Sequence, residues 1–414
     1  MTAERQHYHR FSAQLVKSAL ADTPVILIDG PRQCGKTTLL RQFVDEHVSW
    51  LSLDEETTLN AALNDPVGLL RGRGRVAIDE VQRAPALLRT IKQLVDEDRQ
   101  PGRFLLTGST DILTLPTLSD SLAGRMEVIN LLPLAQSEMR RAPSSFLLKV
   151  LAGEPPAQAL APDTAATLMQ AVLKGGYPEM THRTEPARRQ AWAREYVRAI
   201  VQRDIRDIAT LDKLDRLPRL LRALAQQSGQ LTNFSQMAGQ LGIDDKTARK
   251  YVGMFEQVFL VRRLEPWFRN QLKRQIKTPK LHFLDSGLLA TMRGLSADRL
   301  QRDRTAWGAL LETFVHGELL KMLAWQATPC SLFHYRDKDQ AEVDFVIEAE
   351  AGDIVGIEVK AAASVQPADF TGLRKLATAA GTDFRIGMVL YDGHQVLSFG
   401  GNLHAVPLSS LWTG

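Results

Sequence analysis

The chain has 414 residues and a net charge of +4, and its 44% hydrophobic and 24% charged residues are ordinary for a soluble globular protein. This length predicts two or three domains, and neither a signal peptide nor an apolar run long enough to span a membrane is visible, so a membrane protein is not expected. The two cysteines, Cys34 and Cys330, are too few for a disulfide framework, which favours a reducing cytoplasm.

Short apolar runs alternate with longer amphipathic stretches in the first third of the chain. Strands are predicted at Val25–Asp29, Trp50–Leu53, Val76–Asp79, Phe104–Thr107 and Met126–Leu131, and helices at Lys36–Glu46, Ala84–Glu97 and Thr110–Ala123. This alternation is typical of an α/β fold with a parallel sheet and helices on both faces. The Pro-, Ala- and Ser-rich segment Arg141–Thr164 predicts an irregular connection or a small helical lid.

A nucleotide site is predicted directly after the first strand. Residues 30–37 match the P-loop pattern G-x-x-x-x-G-K-[ST], and the strand before and helix after them favour a P-loop over a chance glycine-rich turn. Backbone N–H groups would wrap the phosphates, Lys36 would reach the β- and γ-phosphates, and Thr37 would ligate Mg²⁺. The residues predicted to bind ATP are Gly30, Pro31, Arg32, Gln33, Cys34, Gly35, Lys36, Thr37 and Thr38.

Two adjacent carboxylates, Asp79 and Glu80, end the third predicted strand. Asp79 would hold Mg²⁺ through water, and Glu80 would orient and deprotonate the attacking water. Acidic residues also often begin helices, but a position about forty residues after the P-loop favours the catalytic interpretation. Glu80 therefore predicts hydrolysis in addition to binding.

Three further polar residues are candidates for the same site. Ser109, or else Thr110, is predicted to contact the γ-phosphate or the attacking water, although turn chemistry would explain either residue equally well. Arg125 is predicted to stabilise charge in the transition state, on its own chain or on a neighbouring subunit. An ordinary surface arginine is the alternative interpretation.

The motifs of this region form an ordered series: Ile28–Thr37, Ile78–Gln82, Leu106–Ser109 and Ala123–Arg125. The series resembles a large prokaryotic family of predicted AAA+ ATPases, which pair an N-terminal ATPase domain with a C-terminal domain of undefined function. The later segments Gly175–Glu179 and Asp285–Leu288 resemble further landmarks of that family. The resemblance covers nearly the whole chain and implies an AAA+ fold that uses ATP and Mg²⁺, with homo-oligomers expected because AAA+ sites commonly lie between subunits.

The middle of the chain is strongly basic. Between Arg183 and Lys280 there are 21 Lys and Arg against 10 Asp and Glu, a net charge of +11 that leaves −7 for the remainder. A basic middle between acidic flanks indicates a module that binds a polyanion. Solvated helix faces would account for the charge alone equally well.

A winged helix is predicted in this basic region. The helices Leu217–Ser228, Asn233–Leu241 and Asp244–Gln257 have the layout of a helix-turn-helix, and Leu264–Trp267 and Leu281–Leu284 read as wing strands. DNA is favoured over protein contacts, and no residues indicate base readout, so binding independent of base sequence or dependent on DNA shape is expected. The residues predicted to contact phosphates are Lys246, Arg249, Lys250, Arg269, Lys273, Arg274, Lys277 and Lys280.

The last third predicts a second α/β unit, with a helix at Ala306–Trp325 and strands that follow it. Glu312 on this helix, Asp344 on one strand, and Glu358 and Lys360 on the next resemble the restriction-endonuclease-like, or PD-(D/E)XK, core. Spacing by two places Glu358 and Lys360 on one strand face. Asp344 and Glu358, with Glu312 as an additional ligand, would hold a divalent cation, and Lys360 would activate water or steady the developing charge. Cleavage and a scaffold that has lost catalysis both remain open.

Three domains follow from these patterns: an AAA+ P-loop ATPase domain with a small lid (1–180), a basic helical and winged-helix domain (181–295) and a restriction-endonuclease-like domain (296–414). The leading hypothesis is a cytoplasmic Mg²⁺-dependent ATPase that binds DNA, in which ATP controls DNA engagement. An ATP-regulated, metal-dependent nuclease is the second hypothesis. A nucleotide-gated switch that recruits a protein partner is the third.

Overall fold

The computed structural model of the chain describes residues 7–110, 122–157, 163–205, 216–270 and 278–413. Two compact units divide the chain. The N-terminal unit comprises Gln6–Leu134 and Gln257–Phe259, and the C-terminal unit comprises Ala135–Glu256 and Leu260–Gly414. The predicted middle domain and the predicted last domain both fall in the C-terminal unit. The division into three domains stays a prediction. Among the described residues, no helix combines the length and the apolar character needed to cross a membrane.

A parallel sheet of five strands forms the centre of the N-terminal unit. The strands are β1 (Val25–Asp29), β2 (Val48–Ser52), β3 (Arg75–Asp79), β4 (Phe104–Gly108) and β5 (Met126–Asn130), in the order β2-β3-β4-β1-β5. Strands β1 and β4 are buried at every position, as expected of central strands covered on both faces. The predicted parallel α/β sheet of a P-loop domain is confirmed.

Helices cover both faces of this sheet. They are α1 (Ala13–Ala19), α2 (Lys36–Arg41), α3 (Glu56–Asn64), α4 (Pro66–Leu70) and α5 (Leu87–Glu97). Because side chains alternate along a strand, Val25 and Leu27 of β1 pack in the core with residues of α3, α4 and α5, whereas Ile26 and Ile28 pack with α1 and α2. Most of the predicted helix Thr110–Ala123 lies outside the described residues.

The parallel register brings the ends of several strands to one edge of the sheet. Asp29 at the end of β1 pairs with Gly108 at the end of β4, and Asp79 at the end of β3 pairs with Ser52 of β2. The residues that follow these strands therefore lie at a common edge. This edge is where open α/β sheets bind ligands.

The C-terminal unit combines a helical part with two sheets. Its helices are α6 (Gln136–Arg140), α7 (Phe146–Leu151), α8 (Ala165–Lys174), α9 (Pro178–His182), α10 (Pro186–Ala199), α11 (Leu217–Gln226), α12 (Phe234–Leu241), α13 (Asp245–Gln257), α14 (Ser286–Met292), α15 (Ala297–Arg302), α16 (Trp307–Ala324), α17 (Thr371–Ala380) and α18 (Ser410–Thr413). Helix α10 continues as the π-helical turn Ile200–Asp204.

The two later landmark segments meet in this unit. The carboxylate of Asp285 accepts the N–H of Gly176 at 2.7 Å and the N–H of Leu288 at 3.0 Å, so that one buried side chain caps α14 and holds the turn before α9. Gly175 has a φ of 65°, and a Cβ there would overlap the Asp285 carboxylate. The close approach of the Asp285 carboxylate therefore leaves room only for glycine at position 175.

A three-stranded antiparallel sheet accompanies helices α11, α12 and α13. Its strands are β6 (Gln230–Leu231), β7 (Val261–Leu264) and β8 (Lys280–Phe283), in the order β6-β8-β7. The three predicted helices are present, with Gly242 in the left-handed conformation between the second and third. The strand predicted at Leu264–Trp267 lies three residues earlier, at Val261–Leu264. Residues 265–267 form an isolated bridge with His334 instead.

A mixed sheet of six strands ends the unit. The strands are β9 (Cys330–Arg336), β10 (Glu342–Ala349), β11 (Ile354–Lys360), β12 (Phe384–Tyr391), β13 (Leu397–Ser398) and β14 (Leu403–Pro407), in the order β13-β14-β12-β11-β10-β9. Strand β11 pairs with β10 antiparallel and with β12 parallel. This register places the start of β10, with Asp344, beside the end of β11, with Glu358.

Candidate nucleotide-binding site

The loop between β1 and α2 has the backbone of a tight phosphate loop. A Cβ at Gly30 would overlap the carbonyl oxygen of Leu131, so only glycine fits this position. Gly35 caps α2 with a φ of 106°, and Gln33 adopts a φ of 61°, which non-glycine residues rarely do. Such strain is typical of functional sites, and the helix N-terminus that follows favours anions.

Lys36 is the first residue of α2, and its side chain reaches back to the carbonyl groups at the start of this loop. Its side chain is buried, and its ammonium donates hydrogen bonds to the carbonyl oxygens of Gly30 at 3.0 Å and Pro31 at 2.8 Å. A buried cation held by neutral carbonyl groups is poorly compensated for its lost hydration. An anionic phosphate at the loop would provide the missing charge.

Asp79 is surrounded by two threonine hydroxyls. The hydroxyl of Thr37 donates to both carboxylate oxygens, at 2.9 and 3.1 Å, and the hydroxyl of Thr107 donates at 2.6 Å. Burial raises the pKa of Asp79, although these hydrogen bonds partly oppose the shift. A hydroxyl and a carboxylate oxygen side by side suit Mg²⁺, which prefers oxygen ligands, so the residues present fit this ion.

Glu80 is fixed by backbone and side-chain contacts. Its φ of 60° is in the left-handed region, and its N–H donates to Thr107 at 2.9 Å. Its carboxylate accepts hydrogen bonds from the hydroxyl of Ser109, at 2.9 Å, and from the amide of Gln82, which also donates to Ser109 at 2.7 Å. The structure thus brings Glu80 and Ser109 together beside Asp79.

Three residues of the site were not found from the sequence. Thr107 closes an apolar strand, and Gln82 lies within the Asp-Glu motif, so both offered a weak signal. Arg10 offered none, since it lies outside every motif and precedes Cys34, its partner in the loop, by 24 residues. Its buried guanidinium donates to the carbonyl oxygens of Cys34 at 2.7 Å and Leu132 at 2.6 Å. Arg10 therefore connects Cys34 of the phosphate loop to Leu132, which follows β5.

Arg125 lies at the other edge of the sheet. Its carbonyl oxygen accepts the N–H of Val25, the first residue of β1, and its guanidinium lies 2.5 Å from Asp96. The length of β1, about 16 Å, separates this position from the phosphate loop. The expectation that Arg125 acts on the nucleotide of its own chain is therefore wrong. A role on a neighbouring subunit stays a prediction.

The acidic residues of the C-terminal unit are also brought together, but around a lysine. The ammonium of Lys280 lies 3.0 Å from Glu312 and 3.0 Å from Asp344. Asp344 accepts the N–H of Val359 at 3.0 Å and donates its own N–H to Glu358 at 3.3 Å. Lys360 does not join this group in the described contacts and pairs with Asp369.

These groups have strongly shifted pKa values. Burial and the neighbouring Asp344 raise the pKa of Glu312 to about 8 and that of Glu358 to about 9. Burial would lower the pKa of Lys280, but the charges of Asp344 and Glu312 outweigh it and raise the pKa. The residues described contain no group of three His, Cys, Asp or Glu arranged to hold a metal ion.

The residues predicted to contact DNA have different surroundings. Lys246 and Lys250 are exposed on α13, whereas Arg249 pairs with Asp245 at 2.8 Å and lies over the ring of Phe234. Arg269 is exposed and lies 3.9 Å from Asp383. Lys280 is buried, so its predicted phosphate contact is wrong. Lys273, Arg274 and Lys277 lie outside the described residues.

Three family models match consecutive parts of the chain. An AAA domain matches residues 22–140, a domain of unknown function (DUF8612) matches residues 165–299, and a second one (DUF4143) matches residues 307–411. The AAA match covers the five-stranded sheet and the phosphate loop. Residues 22–140 are therefore a P-loop domain of the AAA type.

Relatives of similar length share most of the chain. The uncharacterized protein Rv2008c of Mycobacterium tuberculosis and the uncharacterized protein Mb2031c of Mycobacterium bovis are each 31% identical over 409 residues, which is 98% of this chain and 84% of each relative. Among solved structures, a RuvB variant of Thermotoga maritima is 20% identical, with 61% of this chain and 88% of that chain covered and a TM-score of 0.30. AMPPCP-bound DnaA from Aquifex aeolicus is 13% identical, with 59% and 86% covered and a TM-score of 0.28. Likenesses as low as these two carry no argument about activity.

Proposed function

This chain belongs to the family of the uncharacterized mycobacterial protein Rv2008c, and from that premise we propose that it is a Mg²⁺-dependent ATPase that binds DNA. ATP binding and hydrolysis would control how the chain engages DNA. The observation that carries the ATPase assignment is the contact network that joins Thr37, Asp79, Thr107, Glu80 and Ser109 at one sheet edge.

Each member of this network has a role suited to its surroundings. Lys36 would exchange its carbonyl partners for phosphate oxygens, which removes the uncompensated burial of its charge. Thr37 and Asp79 would hold Mg²⁺, which supplies positive charge to the phosphate oxygens when bound. Glu80 would orient a water molecule and accept its proton, and Ser109 and Gln82 would keep the Glu80 carboxylate in place.

The proposed DNA-binding part is the three-helix region with its small sheet. The element order α11, β6, α12, α13, β7, β8 and the sheet order β6-β8-β7 support a winged helix. Lys246 and Lys250 project from α13 into solvent, without an ion pair among the described contacts, and can contact phosphates. Arg249 and Arg269 would have to leave their partners Asp245 and Asp383 first, so Lys246 and Lys250 are the stronger candidates.

The ATPase rate of the full chain, measured with and without linear, branched and single-stranded DNA at two salt concentrations, tests this function. We expect Mg²⁺-dependent turnover that DNA changes, with an effect that weakens as salt rises because phosphate contacts release counterions. Lys36→Ala should abolish nucleotide binding and turnover. Turnover that persists in Lys36→Ala would assign the measured activity to a contaminant, and a wild-type chain without turnover would overturn the proposal.

The double variant Lys246→Ala with Lys250→Ala tests the DNA-binding surface. Loss of two phosphate contacts should weaken binding and lower the slope of log K against log salt by about 2. The matched control is Arg219→Ala with Arg222→Ala, which removes the same charge from exposed positions of α11. If both double variants lost the same DNA affinity, the effect would come from net charge alone, which would contradict a specific role of α13.

A further inference from the structure

The acidic group of the C-terminal unit already contains a cation. Lys280 opens β8, and its side chain is only 5% exposed. Its ammonium lies at 3.0 Å from carboxylate oxygens on two other elements, Glu312 of α16 and Asp344 of β10. A single buried lysine therefore bridges a helix and a strand.

Two further carboxylate oxygens of this group accept backbone hydrogen bonds. The second carboxylate oxygen of Asp344 accepts the N–H of Val359, and Glu358 accepts the N–H of Asp344. His282 places its Nε2 atom 3.7 Å from the same Glu312 oxygen that binds Lys280. Lys360, the residue expected to assist a metal-bound water, pairs with Asp369. The expected divalent cation does not fit this arrangement of residues.

We propose that Lys280 is a built-in cation, which takes the position where a divalent metal would have to bind between Glu312 and Asp344. The acidic group is then a closed structural joint and not a metal-dependent catalytic centre. Metal binding would require Lys280 to leave two carboxylates and would bring a divalent cation close to its ammonium in a buried place, which is electrostatically unfavourable.

The joint connects two parts of the C-terminal unit. Lys280 belongs to the three-stranded sheet of the basic region, whereas Asp344 and Glu358 belong to the six-stranded sheet. Lys280 is the first residue of the central strand β8, and it pairs with Leu231 of β6 and Leu264 of β7. Its ion pairs therefore hold the proposed winged helix against the acidic end of β10.

Titration of the full chain with Mn²⁺, without nucleotide, distinguishes this role from catalysis. The arms are the wild type, Lys280→Met, Asp344→Asn and the combination of Lys280→Met with Asp344→Asn. We expect the wild type and Asp344→Asn to bind Mn²⁺ equally, since any ion at the phosphate loop is common to both. Lys280→Met should gain a Mn²⁺ site that the combined variant loses again.

Three outcomes would overturn the proposal. One is Mn²⁺ binding by the wild type that Asp344→Asn removes, and another is a folded Lys280→Met variant that gains no Mn²⁺ site. The third is metal-dependent cleavage of linear, branched or single-stranded DNA by the wild type that is lost in folded Asp344→Asn, which would make the acidic group a catalytic centre.

The test does not depend on the folding of one variant. If Lys280→Met does not fold, the wild-type and Asp344→Asn titrations and the cleavage assay still decide, and Lys280→Arg, which keeps the charge, should fold and bind no additional Mn²⁺. Extra Mn²⁺ binding by folded Lys280→Arg would contradict the role of the charge. ATPase activity is measured in parallel, so that a failure of the proposed ATPase function is seen separately from a failure of the joint.

Discussion

The molecule contains two groups of acidic residues at strand ends, and they differ in what neutralises them. In the N-terminal unit, Asp79 is held by the hydroxyls of Thr37 and Thr107, and Glu80 by Ser109 and Gln82, which are all neutral. In the C-terminal unit, Asp344 and Glu312 share the ammonium of Lys280. Neutral hydroxyl partners leave the first group able to accept Mg²⁺, whereas an internal cation closes the second.

The largest expected effect is on ATP turnover and concerns the acidic group of Asp79 and Glu80. Glu80→Gln should lower ATP turnover by about 10² to 10⁴-fold and leave nucleotide binding intact, because the amide keeps the shape of the carboxylate but cannot accept a proton. Steady-state hydrolysis and equilibrium binding of an ATP analogue measure the two quantities separately. Glu127→Gln, at an exposed position of β5, is the matched control and should behave as the wild type. Turnover that survives in Glu80→Gln would remove the base from the proposed mechanism.

The acidic group around Lys280 should change how the free energy of unfolding depends on pH. Burial and the neighbouring Asp344 raise the pKa of Glu358 to about 9 in the folded chain. Between the ordinary pKa of a glutamate and pH 9, the folded state therefore keeps a proton that the unfolded state has released. Stability contributed by this proton is complete below the unfolded pKa and is lost as pH rises toward 9, by up to about 1.4 kcal/mol per pH unit. Glu358→Gln mimics the protonated form and should be less sensitive to alkaline pH than the wild type.

Urea unfolding between pH 6 and pH 10, followed by tryptophan fluorescence, measures this difference. All tryptophans except Trp50 lie in the C-terminal unit, so the signal reports mainly on that unit. Glu350→Gln removes a carboxyl from an exposed position next to β10 and is the control. Parallel pH profiles for the wild type and Glu358→Gln would show that Glu358 is already ionised at neutral pH.

The sequence predicts the fold of the first group well because its signals are local. The P-loop pattern, the apolar strands and the Asp79–Glu80 pair each lie within a few consecutive residues, and strand register then places them at one edge. The second group shows where this reasoning ends. Glu312, Asp344 and Glu358 were expected to meet, but Lys280 comes from a strand that is remote in sequence and was assigned to DNA contact. Only the folded chain shows which charged residue from another element fills the space.

Arg10 illustrates the same limit within the first group, and its effect should be the smallest of the three. Arg10 is not among the residues predicted to bind ATP, but its hydrogen bonds to the carbonyl oxygens of Cys34 and Leu132 connect the phosphate loop to the segment that follows β5. Arg10→Ala should raise the KM for ATP by about tenfold, equivalent to about 1.4 kcal/mol, with little change in kcat. Arg10→Lys should recover part of the loss, because a lysine can reach one of the two carbonyl groups.

Steady-state kinetics with Lys17→Ala, an exposed cation of α1, as the control separate this effect from loss of charge near the N-terminus. A lower unfolding temperature of Arg10→Ala with an unchanged KM would make Arg10 a purely structural residue. A fall in kcat equal to that of Glu80→Gln would instead mean that loss of Arg10 also displaces the proposed base, Glu80. The expected split, with KM affected and kcat preserved, follows from the positions of the two residues. Arg10 contacts the loop proposed to bind phosphate, whereas the backbone of Glu80 is held by Thr107 of β4 and its carboxylate by Ser109, which follows β4.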